Sequence, residues 1–428
     1  MSNLSNLGSE QQRNLAVRVS SAGERAIRSG HPWIFDGAIE SVSYDAPSGT
    51  LAVIFDRRRR FLAIGLYDPA SPIRIRILHQ GSSATIDQAW LEAKLAAAAE
   101  KRLPLIHGDP ARPTDGFRLI YGENDGLPGL ILDRYADTNV LKLYTPAWIP
   151  HLPALLPGLT QTENGPLATL GPTRRLVLRL NRSTQNQVDL LNGLSDGQIL
   201  FGPPLAGPVI FQENGLFFEA EPVEGQKTGF FLDQRENRAK VEELVAQGAG
   251  RRDVLNVFAY TGGFSLYAAR GGASRVLSLD ISAPALAAAE RNFALNRADP
   301  AVAAARHEIL AADAFAALDQ MAGASRRFDM VIVDPPAFAK RQDEVERAFG
   351  AYTKLAHLAL GVLRPGGTLV MASCSSRVSA DDFFAAIHAA AQSAHRPLQE
   401  IARTGHPVDH PVGFAEGAYL KCLYGVAS

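Results

Sequence analysis

Short apolar runs separated by turn residues fill the first eighty residues of the chain. The candidate strands are Leu15–Val19, Leu51–Phe55, Phe61–Leu66 and Ile73–Leu78, and the turn-forming stretches between them include Asp45–Gly49 and Asp68-Pro69. This pattern predicts a small β-barrel domain over residues 1–80. A helix is predicted next, from about Thr85 to Lys101, because this stretch has strong helix formers and few breakers.

The stretch from 81 to 205 has a weaker pattern. Its strand candidates are Phe117–Tyr121, Gly129–Leu132 and Leu176–Leu180, and proline-rich segments that include Pro146 to Pro157 lie between them and predict loops. We therefore predict a central α+β domain over residues 81–205.

After about Gly207 strands and helices alternate. A hairpin is predicted at Val209–Phe211 and Leu216–Ala220, followed by a helix that begins at Asp233, with Glu236 at capping-box spacing, and ends at Gly248. The strands predicted beyond it are Val254–Phe258, Arg275–Leu279, Ile309–Ala311, Met330–Val333 and Thr368–Ala372, with helices at Pro284–Leu295 and Ala380–Ser393 and a final antiparallel pair near Leu398–Arg403 and Tyr419–Val426. Because apolar strands alternate with helices, residues 206–428 are predicted to form an α/β, doubly wound, Rossmann-like domain with a largely parallel sheet.

Composition narrows the class of protein. The chain has 428 residues, 46% of them hydrophobic and 20% charged, and no apolar run approaches the roughly 20 residues of a membrane span. The opening stretch is polar and lacks the apolar core of a signal peptide, so a cytoplasmic protein without a membrane partner is expected. Two cysteines cannot build a disulfide framework or a four-cysteine zinc site. No metal is predicted at His406 and His410 either, because adjacent prolines prevent a regular helix and no third ligand lies nearby.

Charge is uneven along the chain although its formal net value is only -1. Residues 1–80 contain ten arginines, no lysine and seven acids, which gives 10 − 7 = +3. The run Arg57, Arg58, Arg59 and Arg60 lies between two apolar stretches and predicts an exposed basic turn. Contact with RNA is one interpretation, and a solvated hairpin tip is the alternative.

A glycine-containing turn follows the first strand of the predicted parallel sheet. The segment NVFAYTGGFS, Asn256–Ser265, ends in adjacent glycines that let the backbone approach a ligand. It lacks the GxGxxG pattern of dinucleotide enzymes, which disfavours a dehydrogenase. Asp280 ends the second strand, 280 − 256 = 24 residues after Asn256, where an acid accepts hydrogen bonds from ribose hydroxyls. Asp313, after the third strand, would meet the adenine end of the same ligand, so the pattern favours S-adenosyl-L-methionine (AdoMet) over another ligand of a doubly wound fold.

Two further strand ends carry reactive groups. The fourth strand ends in Asp334-Pro335-Pro336-Ala337-Phe338, where two prolines fix a rigid turn that holds the Asp334 carboxylate toward the cleft. Phe338 could stack on a base, and a simple rigid loop is the alternative. The fifth strand ends at Cys374, which is thereby expected on the ligand side of the sheet, whereas Cys422 is expected in the core.

The order of these motifs resembles the PUA-containing family of large-subunit (23S) ribosomal RNA cytosine-5 methyltransferases. The matching segments are HPWIFDGAI (31–39), TDGFRLIYGENDGLPGLILDRY (114–135), GQKTGFFLDQRENR (225–238), NVFAYTGGFS, VDPPAF, ASCSS and DHPVGFAEGAYLK (409–421). The resemblance covers nearly the whole chain. It implies a PUA barrel, a central α+β domain and an AdoMet-binding domain. The expected partners are RNA, above all ribosomal RNA, and a second copy of the chain in a homodimer.

The resemblance also implies roles for single residues. Cys374 would be the nucleophile, Asp334 would contact the target cytosine, and the segment from Lys227 to Arg235 would cover the cleft. The residues expected at the cofactor are Asn256, Phe258, Tyr260, Thr261, Gly262, Gly263, Asp280, Ile281, Ser282, Asp313, Ala314, Asp334 and Pro335. The residues expected at the substrate are Lys227, Phe230, Arg235, Pro336, Phe338, Arg57, Arg58, Arg59 and Arg60.

Two other functions stay open at this point. One is an AdoMet-dependent methyltransferase that acts on another RNA base or on a small molecule, with Cys374 as a packing residue. The other is a non-catalytic RNA-binding or assembly protein that keeps a degenerate cofactor fold.

Overall fold

The computed structural model describes residues 13–161, 164–248, 252–339 and 341–428. Residues 1–12, which make up most of the polar opening stretch without a predicted signal peptide, lie outside the described residues. The chain divides into two compact units. The first comprises Met1–Gly215, Ala220–Leu232 and Val408–Phe414, and the second comprises Leu216–Glu219, Asp233–Pro407 and Ala415–Ser428.

The first unit begins with a six-stranded sheet and one short helix, α1 (Ser21–Arg28). Its strands are β1 (Leu15–Val19), β2 (Trp33–Phe35), β3 (Ile39–Val42), β4 (Leu51–Phe55), β5 (Phe61–Tyr67) and β6 (Ile73–Gln80), in the order β2-β6-β5-β4-β1-β3. The two edge strands, β2 and β3, are joined by a three-residue 3-10 turn. Because so short a turn joins opposite edges, the sheet must roll into a barrel, as the sequence predicts. Strands β2 and β3 were missed because three or four residues are too few to show a period.

A five-stranded sheet forms the second half of this unit. Its strands are β7 (Gly116–Tyr121), β8 (Leu130–Tyr135), β9 (Thr138–Leu143), β10 (Arg175–Leu180) and β11 (Ile199–Phe201), in the order β11-β10-β9-β8-β7. The helices beside it are α2 (Gln88–Ile106), α3 (Leu152–Thr160) and the short α4 (Arg182–Gln185). Buried leucines of α2, α3 and the sheet, such as Leu95, Leu155 and Leu132, share one core, so this part is α+β as the sequence predicts.

The loop predicted from Pro146 to Pro157 is wrong. Residues Pro146–His151 form a 3-10 helix, and α3 follows directly. Thr145 caps the first of these helices, since its hydroxyl accepts a hydrogen bond from the amide of Ala147 at 3.2 Å. Pro146 and Pro153 stand near the helix starts, where the N–H that proline lacks would have no partner anyway, whereas Pro150 and Pro157 lie inside the helices.

Strands β12 (Val209–Glu213) and β13 (Leu216–Ala220) follow in the chain. Phe211 of β12 packs within the first unit against Tyr135, at 5.1 Å between ring centroids. Phe218 of β13 stacks within the second unit on Tyr267, at 6.3 Å.

The second unit is built on a seven-stranded sheet. Its strands are β14 (Asp253–Val257), β15 (Arg275–Asp280), β16 (Arg306–Ala311), β17 (Phe328–Val333), β18 (Leu363–Ser373), β19 (Leu398–Thr404) and β20 (Lys421–Ala427), in the order β16-β15-β14-β17-β18-β20-β19. The first five in this order run parallel, and β20 is antiparallel to both of its neighbours. The chain reverses its direction of travel across the sheet between β14 and β17, and such a switch point opens a ligand crevice at the carboxyl ends of the strands.

Helices cover both faces of this sheet. They are α5 (Arg235–Ala246), α6 (Gly263–Arg270), α7 (Ala283–Leu295), α8 (Pro300–Ala304), α9 (Ala314–Gly323), α10 (Val345–Val362) and α11 (Ala380–Ser393). Leu255 and Leu277 belong to the core that α9, α10 and α11 form on one face. Alternate residues such as Asn256 and Ser278 therefore point to the other face, where α6 and α7 pack.

Several predicted boundaries in this unit are wrong, including that of β18, which begins at Leu363, five residues before the predicted Thr368. The helix predicted from Asp233 begins at Arg235, and its N-cap, Gln234, makes no capping side-chain hydrogen bond. Asp233 does not form the predicted capping box, because its carboxylate accepts a hydrogen bond from the Tyr419 hydroxyl at 2.8 Å. Strand β16 begins three residues before Ile309, since a sheet edge tolerates its charged first residues, and the last strand begins at Lys421. Among the described residues, no helix is both long and apolar enough to cross a membrane.

Candidate active site

The loop after β14 is held in a tight, partly left-handed conformation. Phe258, Tyr260 and Gly262 have φ values of 61°, 49° and 78°. A Cβ at position 262 would lie 2.7 Å from the Cβ of Ala289 on α7, so glycine is required for space as well as for φ. Helix α6 begins at Gly263 directly after this turn. A left-handed backbone conformation costs free energy in residues with side chains such as Phe258 and Tyr260, and functional loops often contain such residues.

Asp280 joins this loop to the next strand end. One of its carboxylate oxygens accepts a hydrogen bond from the amide of Tyr260 at 2.8 Å, and the other accepts one from the amide of Ser282, also at 2.8 Å. Each oxygen keeps a second lone pair, which suits a pair of ribose hydroxyls. The neighbouring Ile281 is 77% exposed and offers an apolar surface beside them. The Ser282 hydroxyl caps α7 by accepting from the amide of Ala285 at 3.3 Å.

Two buried oxygen atoms, one on β14 and one in the loop after it, lack hydrogen-bond partners in the described part of the chain, as expected at a site for a polar ligand. The Oδ1 atom of Asn256 and the Oγ1 atom of Thr261 have no hydrogen-bond partner among the described residues. A buried polar atom without a partner is costly, so a ligand that donates hydrogen bonds here would stabilise the fold. Together with the Gly262 turn and Asp280, these atoms fit the nucleoside and amino-acid groups of AdoMet.

A buried relay fixes the other side of the Asn256 amide. Its Nδ2 donates to the Ser265 hydroxyl at 2.9 Å, which lies 2.7 Å from the Ser278 hydroxyl, and that group lies 2.8 Å from Nε2 of His307. Burial lowers the pKa of His307 to about 4, so the ring is neutral near pH 7. It stacks on Phe293 at 3.8 Å. The relay crosses β14, β15 and β16 and orients Asn256.

Asp313 lies at the same edge of the sheet, two residues beyond the last register pair of β15 with β16, Asp280 with Ala311. Its carboxylate caps α9 by accepting a hydrogen bond from the amide of Ala316 at 3.0 Å. Ala314, the first residue of α9, is buried. The contact of Asp313 and Ala314 with an adenine stays a prediction.

Asp334 follows β17 and is held by a side chain that the sequence analysis missed. The Nε2 atom of Gln234 donates to both carboxylate oxygens of Asp334, at 2.9 Å each. The amide of Gln234 is oriented by Asn237, whose Nδ2 donates to Oε1 of Gln234 at 2.5 Å. Gln234 lies inside the matched segment GQKTGFFLDQRENR, but nothing in the local sequence distinguishes it from the neighbouring Arg235, which is the residue predicted at the substrate.

Cys374 comes to the same turn from the neighbouring strand. Strands β17 and β18 are parallel, with Val333 beside Met371, and the Cys374 Sγ atom lies 4.0 Å from the carbonyl oxygen of Pro335. The thiol is half-buried, whereas Cys422 is fully buried. Burial raises the pKa of Cys422 to about 12, so that thiol stays inert. The structure therefore brings Cys374 and the Asp334 turn together at one edge of the sheet.

Two contacts brace this pair of loops. The Ser375 hydroxyl donates to the carbonyl oxygen of Ala339 at 2.8 Å. The Tyr352 hydroxyl on α10 lies 2.8 Å from the Ser373 hydroxyl, and burial, opposed by that hydrogen bond, raises the pKa of Tyr352 to about 12. The ring of Phe338 packs edge-on against Tyr352 at 5.1 Å, while Pro335 is buried and Pro336 is exposed. Base stacking by Phe338 stays a prediction.

The predicted substrate contacts differ in accessibility. Phe230 is 2% exposed and Arg235 is 0% exposed, so neither side chain is presented to an RNA in this structure. Lys227 is half-buried, and its ammonium lies 4.2 Å from the centre of the Phe231 ring.

The arginine run forms the tip of the β4–β5 hairpin, and all four side chains are exposed as predicted. Buried Asp56 organises the tip, because its Oδ1 accepts hydrogen bonds from the amides of Arg58 and Arg60, at 2.8 Å each. The Nε atom of Arg60 also donates a hydrogen bond to Oδ2 of Asp56 at 2.8 Å. The guanidinium of Arg57 lies 3.7 Å from a carboxylate oxygen of Glu40.

The two histidines considered as metal ligands have structural contacts. His406 Nε2 accepts a hydrogen bond from the amide of Leu420 at 3.2 Å, and its ring packs on Tyr419 at 4.6 Å. His410 is buried, with Nδ1 3.1 Å from a carboxylate oxygen of Asp409.

Comparison with known proteins gives consistent matches. The model of a family described as S-adenosylmethionine-dependent methyltransferases matches residues 142–423, and a model of the PUA-like domain matches residues 17–80. A ribosomal RNA large subunit methyltransferase of Deinococcus radiodurans is 49% identical over 416 residues, 96% of this chain and 97% of that protein. Ribosomal RNA large subunit methyltransferase I of Aliivibrio fischeri is 34% identical, over 95% of this chain and 98% of its own length.

Solved structures share the fold. A chain from Streptococcus mutans described as a SAM-dependent methyltransferase superposes with a TM-score of 0.78 at 19% identity, covering 96% of this chain and 99% of that chain. A second, described as a methyltransferase complexed with SAH, has a TM-score of 0.79 at 19% identity, with the same coverage.

Proposed function

Because the chain belongs to the S-adenosylmethionine-dependent methyltransferase family and carries a PUA-like domain, we propose that it methylates carbon 5 of a cytosine in 23S ribosomal RNA through a covalent cysteine adduct. The observation that carries the proposal is the meeting of a half-buried thiol, Cys374, with the Asp334-Pro335 turn at adjacent strand ends, Sγ 4.0 Å from the Pro335 carbonyl. The names of the relatives support ribosomal RNA as the substrate.

The Cys374 thiol overcomes the low reactivity of carbon 5 of cytosine. Carbon 5 of cytosine is a poor nucleophile, since attack through it would break the conjugation of the ring. When the Cys374 thiolate forms a bond to carbon 6, the ring electrons move toward nitrogen 3, and carbon 5 becomes the nucleophilic end of an enamine. Covalent catalysis of this kind replaces one difficult step by easier ones.

Asp334 binds the edge of the base. The carboxylate takes up a proton from water when the base binds and shares it with nitrogen 3 as the thiolate adds, which neutralises the charge that moves there. The proton returns to the carboxylate and to water when the thiolate leaves. Gln234, which donates to both carboxylate oxygens at 2.9 Å, holds the carboxylate in one orientation. After methylation, a base takes the proton from carbon 5, its electrons restore the double bond, and the thiolate leaves carbon 6.

AdoMet, when bound, supplies the methyl group on a sulfonium and leaves as S-adenosylhomocysteine. The residues that would hold it are Asn256 and Thr261 with their unpartnered oxygens, Gly262 in the turn after β14, and Asp280 with its carboxylate. A base inside an RNA helix would have to leave its stack, at a cost of about a few kcal/mol, so an accessible or immature RNA is the better substrate.

The direct test is methyl transfer from tritiated AdoMet to unmodified 23S ribosomal RNA, followed by nucleoside analysis. We expect the label in 5-methylcytidine. Label in another base would contradict the cytosine assignment but keep RNA methylation. Absence of AdoMet binding by calorimetry would favour a non-catalytic RNA-binding protein.

Asp280→Asn should weaken AdoMet binding about tenfold or more, because a ribose hydroxyl loses a charged acceptor. Calorimetry measures the dissociation constant directly. Asp319, an exposed acid on α9, offers the control Asp319→Asn, which should bind AdoMet as the wild type does. Equal affinities of the two variants would contradict a ribose contact at Asp280.

Arg58→Ala should reduce the slope of log K against log salt for RNA binding by about 1, because one phosphate contact is lost. Fluorescence anisotropy with a labelled RNA fragment over a salt series gives this slope. Arg297→Ala, an exposed arginine of the second unit, is the matched control. An unchanged slope in Arg58→Ala would support a solvated hairpin tip instead.

A further inference from the structure

A buried lysine lies beneath the loop that carries Cys374. Lys421 begins β20 beside Ser373 of β18, and its side chain is 3% exposed. Its ammonium donates to the carbonyl oxygens of Ser375 at 2.5 Å, Val378 at 2.6 Å and Tyr419 at 3.2 Å. All three of its N–H donors are therefore satisfied by backbone, and two of them hold the turn that directly follows Cys374.

A buried ammonium is costly unless a negative charge lies nearby, because carbonyl dipoles replace only part of the hydration that it loses. Among the described residues no carboxylate forms an ion pair with Lys421. Burial lowers the pKa of Lys421 to about 8, and the group that acts in the opposite direction is Cys374. The ammonium is still mostly charged at pH 7 and lies within electrostatic reach of that sulfur.

Three other described titratable groups near this turn, Asp334, Tyr352 and Cys422, carry no positive charge. Asp334, at the end of β17, contributes negative charge to the same region, since it raises the pKa of Tyr352. Tyr352 on α10 has a pKa of about 12 and is neutral near pH 7. Cys422, next to Lys421 in the chain, is neutral as well, with a pKa of about 12.

We propose that Lys421 is a positioning residue for Cys374: its ammonium holds the Ser375–Val378 turn in place and offsets the negative charge of the thiolate. The inference rests on the proposed function for its catalytic meaning. A neighbouring cation favours the thiolate over the thiol, and the thiolate is the form that adds to carbon 6. A residue chosen for packing alone would not need a charge at this position.

The test is the rate at which iodoacetamide alkylates Cys374 in the full chain as a function of pH, with the modified peptide identified by mass spectrometry. In Lys421→Met we expect the midpoint of the pH profile to rise by about one unit, so that alkylation at pH 7 slows about tenfold. Lys421→Arg keeps the charge and should recover most of the rate. Lys354→Met, an exposed lysine on α10, is the control and should match the wild type. An unchanged midpoint in a folded Lys421→Met variant would overturn the proposal.

A second measurement covers the case in which Lys421→Met does not fold. Cys374→Ala removes the sulfur and leaves Lys421 in place. If the ammonium stabilises the thiolate, the melting temperature of the wild type relative to Cys374→Ala rises between about pH 7 and 8.5, as the thiol ionises. A difference that stays constant over this range would overturn the charge interaction.

These readouts need no RNA, so they separate the two proposals. A shifted alkylation profile together with no methyl transfer to cytosine would retain the role of Lys421 and reject the proposed function. A normal alkylation profile in Lys421→Met, together with methylated cytosine in the wild type, would reject the role of Lys421 and retain the proposed function.

Discussion

Replacing Cys374 by serine should lower kcat by about 10⁴-fold or more, because the loss of a nucleophile removes the covalent route. A serine hydroxyl is almost wholly protonated near pH 7 and adds poorly to carbon 6. The affinity for AdoMet should not change, since none of the predicted cofactor contacts comes from β18, the strand whose end carries Cys374. Single-turnover methyl transfer and calorimetry on the same preparation measure both quantities.

The second cysteine provides the matched control. Cys422→Ala removes a thiol that is fully buried in β20, so it should lower the melting temperature while leaving kcat near the wild-type value. RNA that contains 5-fluorocytosine sharpens the test, because carbon 5 then has no proton to lose and the adduct accumulates. We expect a covalent complex with the wild type and with Cys422→Ala, but not with Cys374→Ser. Full activity of Cys374→Ser would rule out the covalent mechanism.

The second large effect is expected at Asp334. Asp334→Asn should lower kcat/KM by about 10²- to 10³-fold, a typical loss when one preorganised polar group at the reacting centre is removed. An asparagine cannot share a proton with nitrogen 3, and its amide hydrogens would meet those of Gln234, which donates to both oxygens of the wild-type carboxylate. Methyl-transfer kinetics with a saturating concentration of AdoMet measure the loss.

Asp329→Asn separates this effect from general damage to β17. Asp329 lies near the start of the same strand and forms an ion pair with Arg364, so its substitution affects stability at the end of the strand remote from Cys374. We expect kcat/KM of Asp329→Asn to stay within a few-fold of the wild type. A similar loss of kcat/KM in both variants would contradict a direct role of Asp334 in the reaction.

Most strands and the motifs at their ends could be predicted from the sequence, because the patterns that indicate them lie within a few neighbouring residues. Continuous apolar runs, such as those around Val331 and Val370, are required when both faces of a strand are covered, and the residue after such a run must lie at the edge of the sheet. Cys374, Asp334 and Asp280 each follow or end such a run, so the sequence predicts them at that edge. The short barrel strands and the helix over Leu152–Thr160 were missed because so few residues show no period and prolines masked the helical pattern.

The groups that act on these residues from a distance could be found only in the folded chain. Gln234 is 100 residues from Asp334, and Lys421 is 46 residues from Ser375; neither spacing has a local signature. The order and register of the strands decide which of these segments become neighbours, and the burial that results lowers the pKa of Lys421. Sequence alone therefore determined which residue types stand at the strand ends, since periodicity is a property of neighbouring residues. Tertiary structure decided which charges and hydrogen bonds surround them, since those depend on contacts between segments far apart in the chain.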